Sequence, residues 1–250
     1  MIPNNNNNIG WIPANWPTPS HIHAGTTTRT GGISPAPYDT LNLADHVGDN
    51  PECVKHNRTL MCTSLGLTVA PCWLQQEHGN RIINLADTHA TLRGDGTYTT
   101  RKNQICVVLT ADCLPLLLCD IQGTQTAAVH IGWRGYSRNI IANAISWFTC
   151  RTHDLMAWMG PSISASNYEV GSEVRTACQQ VTGDPDVGFL PTRKNHWHAD
   201  LAGLVRYQLQ ACGVINIHGG NHCTHTDAER FYSHRRDGVT GRMATLIWME

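Results

Sequence analysis

The chain holds no C-x-x-C pair among its ten cysteines, no apolar run approaching the ~20 residues needed to cross a bilayer, and no basic stripe. Each absence excludes a class of protein. Without a long apolar run the chain is not expected to meet a membrane. A formal net charge of −1 with no clustered Lys or Arg argues against nucleic acid as a partner. Met1 to Gly10 carries an asparagine run from Asn4 to Asn8, but neither a basic n-region nor an apolar h-region, so no secretory signal is expected. The cysteines are therefore read as reduced, small, buried hydrophobes in a cytoplasmic protein, not as a disulfide framework.

The 250 residues are 41% hydrophobic and 15% charged, a globular balance with enough chain for one large domain. Residues 1–20 are largely polar with Pro13, Pro17 and Pro19 close together, and are expected to form a loosely held arm. No linker or repeat divides 21–250, which reads as a single catalytic domain. A strand is predicted from His21 to Thr30. Asn50, Pro51 and Glu52 mark a helix start and Gly66 its end, with Val54, Met61 and Leu65 on its apolar face. Short strands are expected at Cys72–Gln76 and Arg81–Leu85 around a tight turn at His78-Gly79. Ile105–Thr110, Pro115–Cys119 and Thr126–Ile131 are apolar runs that suit strands buried on both faces. Ser137 reads as the cap of a helix bearing Ile140, Ile141, Ala144, Ile145 and Phe148. Leu155–Met159 is a further strand, Asp200 caps a helix carrying Leu201, Leu204, Val205 and Leu209, and Met243–Trp248 closes the chain as a strand. Strands and helices mix without strict alternation, which points to α+β.

Three segments carry chemistry: Gln76-Glu77-His78-Gly79, Thr110-Ala111-Asp112-Cys113-Leu114-Pro115, and Ala128-Val129-His130-Ile131-Gly132-Trp133-Arg134-Gly135. Each places one metal-ligand type at the end of an apolar strand beside a turn. Only tertiary folding can bring His78, Cys113 and His130 together. Two imidazoles and one thiolate suit zinc, and three protein ligands leave a fourth position for water, whose pKa the metal lowers to roughly 7. Spacing alone leaves the bland alternatives open: a hydrogen-bonded structural histidine, or a core thiol. Asp112 could orient a ligand histidine, or could equally cap its turn.

These segments resemble the bacterial YfiH-type family, variously named purine nucleoside phosphorylase, laccase-domain polyphenol oxidase and peptidoglycan editing factor. The resemblance runs from His23 to Met249. It includes Thr27-Thr28-Arg29 with Gly31-Gly32 and Ser34, Tyr38 with Leu41-Asn42-Leu43, His46-Val47-Gly48-Asp49, and Asn57-Arg58. It ends with Cys223-Thr224, Glu229-Arg230-Phe231 and the run from Arg235 to Met243. It implies a CNF/YfiH-like fold, a four-layer αββα sandwich with mixed sheets. It also implies that His78, Cys113 and His130 are the zinc ligands and catalytic residues, with copper as a possible second metal. The activity implied is phosphorolysis of adenosine, inosine and methylthioadenosine to base and ribose 1-phosphate, with adenosine deamination beside it. The partners implied are a purine nucleoside and phosphate. An arginine fork suits phosphate, and Arg29, Arg58 and Arg134 are the candidates because each lies in a matching segment. A structural salt bridge is the competing role for each.

The chain departs from the family pattern at Glu77, Ile131 and Ser164-Ala165-Ser166-Asn167, which puts substrate preference in question but leaves the ligands intact. His21/His23 and His196/His198 form H-x-H pairs that could share a strand face, yet no His-Cys-His run accompanies them as in a true multicopper laccase. His222-Cys223-Thr224-His225 could contribute to a second metal site, with pocket lining as the plainer role. Arg235-Arg236-Asp237 could line a substrate pocket or form a local ion pair; Asn221 and Glu169 are further pocket candidates. Three other functions remain open: a cell-wall precursor amidase with Cys113 as nucleophile and His130 as base, copper-dependent phenol oxidation, and a structural zinc module with a fourth protein ligand.

Overall fold

The computed structural model describes residues 9–87 and 92–250. In chain order the elements are β1 (Trp11–Pro13), β2 (Ile22–Thr27), α1 (Pro51–Ser64), β3 (Ile82–Asn84), β4 (Gly96–Thr99), β5 (Cys106–Thr110), β6 (Leu114–Asp120) and β7 (Thr126–Ile131). There follow α2 (Trp133–Ser137), α3 (Ile140–Ile145), β8 (Leu155–Met159), β9 (Glu169–Gly171), α4 (Ser172–Thr182), β10 (Phe189–Pro191) and β11 (His196–Ala199). The chain ends with α5 (Leu201–Ala211), β12 (Asn216–Gly219), α6 (His234–Asp237) and β13 (Met243–Met249).

Two sheets stack face to face. One has the order β1-β2-β13-β5, the other β12-β8-β6-β7-β4-β3, and a small sheet β10-β11-β9 stands apart. The apolar runs predicted as doubly buried strands are so because each sheet is covered on both sides. Cys106, Val108, Leu117, Ala128, Trp158 and Ile247 fill the space between the sheets. Val107, Leu109, Ala244 and Leu246 face outward onto Met61 and Leu65 at α1. Leu116, Leu118 and Val129 face the other way onto Ile141, Val174 and Leu204 of α3, α4 and α5. The result is the αββα layering. Leu114, Leu116, Leu117 and Leu118 are fully buried, each contributing about 1.5–3 kcal/mol of transfer free energy.

Local signals hold where the chain supplies its own caps. The Asn50 side chain accepts from Glu52 N at 2.9 Å and Pro51 opens α1. Asp200 accepts from Gly203 N at 2.9 Å to start α5. Elsewhere the structure corrects the sequence reading. The arm is not loose from Ile9 onward: Ile9 is buried, and β1 pairs antiparallel with β2, Trp11 opposite Thr27. Residues 1–8 lie outside the described residues. Ser137 caps nothing; it is the last residue of α2, and α3 begins after Asn139, whose φ of 60° breaks the helical path. Phe148 lies beyond the end of α3 but still packs in the core. Cys72–Gln76 forms only a bridge between Gln75 and Arg93, because the Gln76 side chain is bonded to both main-chain groups of Leu109 at the free edge of β5. No sequence expectation covers α4 or the small sheet, whose strands are three or four residues long and half-exposed. No helix among the described residues is long and apolar enough to cross a membrane.

Candidate metal centre

The stacking order brings three chain ends to one place. Cys113 lies in the tight connection from β5 to β6. Across the β6–β7 ladder Pro115 stands opposite His130, so His130 is only two positions along the ladder from the thiol. His78 arrives on the loop ahead of β3. The ligand atoms of His78, Cys113 and His130 all lie within 4.8 Å of one another, and no fourth His, Cys, Asp or Glu joins the group among the described residues. The two imidazole rings meet edge to face at 4.7 Å. His130 is buried and His78 exposed, so the group opens toward solvent on one side. Gly132 lies against the group on another side: a Cβ there would lie 3.0 Å from Cys113 Sγ and 3.2 Å from His78 Cδ2, so a side chain would press on both groups.

Asp95 holds the arrangement together. It immediately precedes β4, and the β4–β7 register places Gly96 opposite Val129. His130 N donates to Asp95 O at 2.7 Å, and His130 Nδ1 meets Asp95 Oδ1 at 2.9 Å. The same carboxylate accepts from His78 N at 2.8 Å, Gly79 N at 2.6 Å and Glu77 N at 3.3 Å. These bonds hold His78 in its left-handed conformation, φ 56°. A carboxylate on Nδ1 leaves Nε2 of His130 as the ligand atom, the usual support for a metal-bound imidazole. Burial pushes the Asp95 pKa up, but the His130 bond and charge and the Gly79 and His78 amides outweigh it, and the group stays below its ordinary value. Burial likewise opposes the Cys113 thiolate, yet the His130 and His78 imidazoles bring the thiol down to about 6. His130 is raised to about 9, the Cys113 and Asp95 charges overcoming its burial. Without a metal, Cys113 and His130 thus each favour the charged form of the other. The donor set, its support and its open side fit zinc.

Asp112 orients neither ligand histidine. Its two oxygens accept from Thr224 Oγ1 and Arg235 N, both at 2.6 Å, so it ties the C-terminal loops to the site. The orienting carboxylate is Asp95, whose sequence signal is slight: one acid between Gly94 and Gly96.

The three candidate arginines differ. Arg29 donates to Asp39 O, Ala228 O and Asp39 Oδ2 and lies over the Tyr232 ring. Arg58 donates to Leu43 O, pairs with Asp45 at 3.4 Å and stacks on Trp73. Arg134 lies over its neighbour Trp133, and its guanidinium donates no hydrogen bond among the described residues. A cleft of about 600 Å³ is lined by Asp45, His46, Trp73, Gln75, Gln76 and Arg93 but by none of His78, Cys113 and His130; Arg93 is paired with Glu77 at 3.3 Å.

The other histidine pairs join no metal-binding group among the described residues. His21 bonds to Gly123 O, His23 pairs with Glu250, and His196 bonds to Lys194 O. Glu169 is held by Arg193 and Thr192. Arg236 donates to three backbone carbonyls, Thr224, His225 and Phe231, and pairs with Asp237, the bland role for that run. Cys223 is different. Burial works against its thiolate, but bonds from Ser164 and Thr226 bring the thiol down to about 7. Its Sγ receives Ser164 N at 3.4 Å and Asn167 Nδ2 at 3.8 Å. Alkylation of Cys223 by iodoacetamide should therefore climb steeply as pH rises through about 7, well ahead of Cys106 and Cys178, whose thiols burial raises to about 12. Peptide mapping by mass spectrometry reads this out; equal labelling of Cys223 and Cys178 would refute it.

Comparison with known proteins gives a consistent answer. The family model described as multi-copper polyphenol oxidoreductase laccase matches residues 23–250. The chain is 42% identical over 241 residues to a purine nucleoside phosphorylase of Haemophilus influenzae, covering 96% of this chain and 99% of that one. It is 41% identical over 239 residues to the purine nucleoside phosphorylase YfiH of Escherichia coli K12, covering 95% and 98%. Among solved structures, Neisseria meningitidis protein NMB0706 superposes with a TM-score of 0.92 at 40% identity, covering 96% and 99%.

Proposed function

The chain belongs to the multi-copper polyphenol oxidoreductase laccase family of YfiH-type proteins, and from that premise we propose that it is a zinc-dependent phosphorylase of purine nucleosides. Adenosine, inosine and methylthioadenosine are the expected substrates, with adenosine deamination at the same centre. The observation that carries this reading is the convergence of His78, Cys113 and His130, with His130 held by Asp95 and no fourth side chain joining them. His78 Nδ1 or Nε2, Cys113 Sγ and His130 Nε2 would hold the metal. Zinc bound there would supply a Lewis acid. Asp95 keeps a proton on His130 Nδ1 and so keeps Nε2 available. The cleft volume of about 600 Å³ lies in the usual range for small-molecule sites. Gln75, Gln76 and Asp45 line it with amide and carboxylate groups that suit the edges of a base or the hydroxyls of a ribose.

Purified protein should release base from adenosine and inosine only when phosphate is present, and chelation should abolish that release until zinc is restored. The assay is chromatographic separation of base from nucleoside. No release from either nucleoside with zinc and phosphate both present would overturn the reading.

One observation favours a second reading. The Cys113 thiol at about 6, beside His130, is also what a nucleophile with its base requires. As an amidase on cell-wall precursors the protein would keep its activity under chelation and lose it on alkylation of Cys113.

A further inference from the structure

We propose that Arg242 anchors an oxyanion beside the His78–Cys113–His130 centre. That this anion is phosphate rests on the phosphorylase reading; the anion site itself does not. Met243, the first residue of β13, pairs with Thr110, the last of β5. The chain leaving β5 there runs directly into Ala111, Asp112 and Cys113. Arg242 therefore stands at the end of the sheet from which the thiol emerges.

Its backbone is pinned: Arg242 N donates to Asn42 Oδ1 at 3.0 Å, and Leu43 N donates to Arg242 O at 3.4 Å. On the side chain, Nη1 donates to Thr240 O at 2.8 Å and Gly241 O at 2.9 Å. Nε and Nη2 donate to nothing among the described residues, and no carboxylate lies within ion-pair distance. Arg29, Arg58 and Arg236 each have such a partner in Asp39, Asp45 and Asp237. Arg242 is thus a partly buried guanidinium held by one nitrogen, with its Nε–Nη2 edge free of acceptors among the described residues.

Burying an unpaired cation is costly, and the Nε–Nη2 edge is the fork that takes two oxygens of a phosphate or carboxylate at once. Burial disfavours the charge of Arg242, while Cys113, Asp112 and Tyr38 lie near enough to favour it. Both Asp112 oxygens are already taken by Thr224 and Arg235, so Asp112 does not close the fork. A second observation comes from the same loop. Thr240 is 2% exposed and its hydroxyl has no hydrogen-bond partner. Arg242 Nη1 already reaches the Thr240 carbonyl at 2.8 Å, so an acceptor held at Arg242 would arrive beside the residue that carries this hydroxyl. The competing role for Arg242 is a bracket that only stiffens residues 240–242.

The test uses the zinc-loaded full chain with Arg242→Gln, Arg242→Lys and Thr240→Val, reading inorganic phosphate binding by calorimetry, steady-state kinetics with phosphate varied, and melting temperature. Arg242→Gln should weaken phosphate binding and raise the phosphate KM by about tenfold or more, with the nucleoside KM nearly unchanged. Arg242→Lys should recover part of this as a point charge without the fork. Thr240→Val should keep its melting temperature, having no bond to lose, yet weaken phosphate binding several-fold. If Arg242→Gln fails to fold, the other two variants decide by the same readings. Unchanged phosphate affinity in every folded variant, or no phosphate binding by the unaltered protein, overturns the anion site. Binding of phosphate that depends on Arg242, without any phosphorolysis, upholds the site and sinks the phosphorylase reading instead.

Discussion

Cys113→Ala should bring the bound metal from one ion per chain to near none and lower nucleoside turnover by more than about 100-fold. His78, Cys113 and His130 are the whole candidate ligand set among the described residues, so losing the thiol would leave two imidazoles with no charge to offset a cation. The fold should survive. Cys113 sits in a connection and not in a strand, and the bond of His130 to Asp95 at 2.9 Å does not involve the thiol. Cys113→Ser should behave almost as badly, since a neutral hydroxyl is a poor substitute for a thiolate whose acid form is favoured only below about 6. Elemental analysis by mass spectrometry beside the base-release assay checks both. A Cys113→Ala protein retaining full metal would show that the three side chains meet for another reason.

Asp95→Ala should cost more stability than any ligand substitution, about 3–5 kcal/mol, and weaken zinc binding by about 10–100-fold. The side chains of Asp95 and His130 are 1% and 4% exposed, and Asp95 takes donors from four residues. Removing the carboxylate leaves a buried imidazole nitrogen and two or three backbone amides without acceptors, and releases His78 from a conformation that its own side chain disfavours. Asp95→Asn keeps the shape but turns an NH2 group toward N–H donors, so it should fall between alanine and wild type. The sign with pH is fixed by the lowered pKa of Asp95. Its stabilisation is fully present above the ordinary carboxylate value of about 4 and is lost as pH falls through the lower folded value. The gap between wild type and Asp95→Asn should therefore be widest near neutrality and close only in strong acid. Denaturant melts of chelator-treated protein across pH separate this from zinc loss. A gap that widens in acid would contradict the assigned charge.

Much of the fold is legible because its strands lie between covered faces. Continuous apolar runs such as 114–119 can be nothing but buried, and Asn50 and Asp200 announce their helices through their own side chains. What escapes detection is built from short, half-exposed pieces. The strands β9, β10 and β11 bury too little to leave a periodic signature, and Ser137 looks like a cap only because Asn139, two residues on, gives no local sign of its left-handed turn. The same division holds at the site. The resemblance marks His78, Cys113 and His130 in advance, yet nothing local distinguishes Asp95 from Asp112, or Arg242 from Arg29 and Arg58.

By itself, then, the chain determined its doubly buried strands and, through resemblance, its family, its expected layers and the candidate ligands His78, Cys113 and His130, because burial pattern and residue identity are local properties. Tertiary structure decided which carboxylate orients His130, which arginines are already held by protein acceptors and which keeps an open edge. Those roles are set by the register of β4 on β7 and of β13 on β5, and a register relates residues far apart in sequence through backbone bonds that carry no side-chain signal.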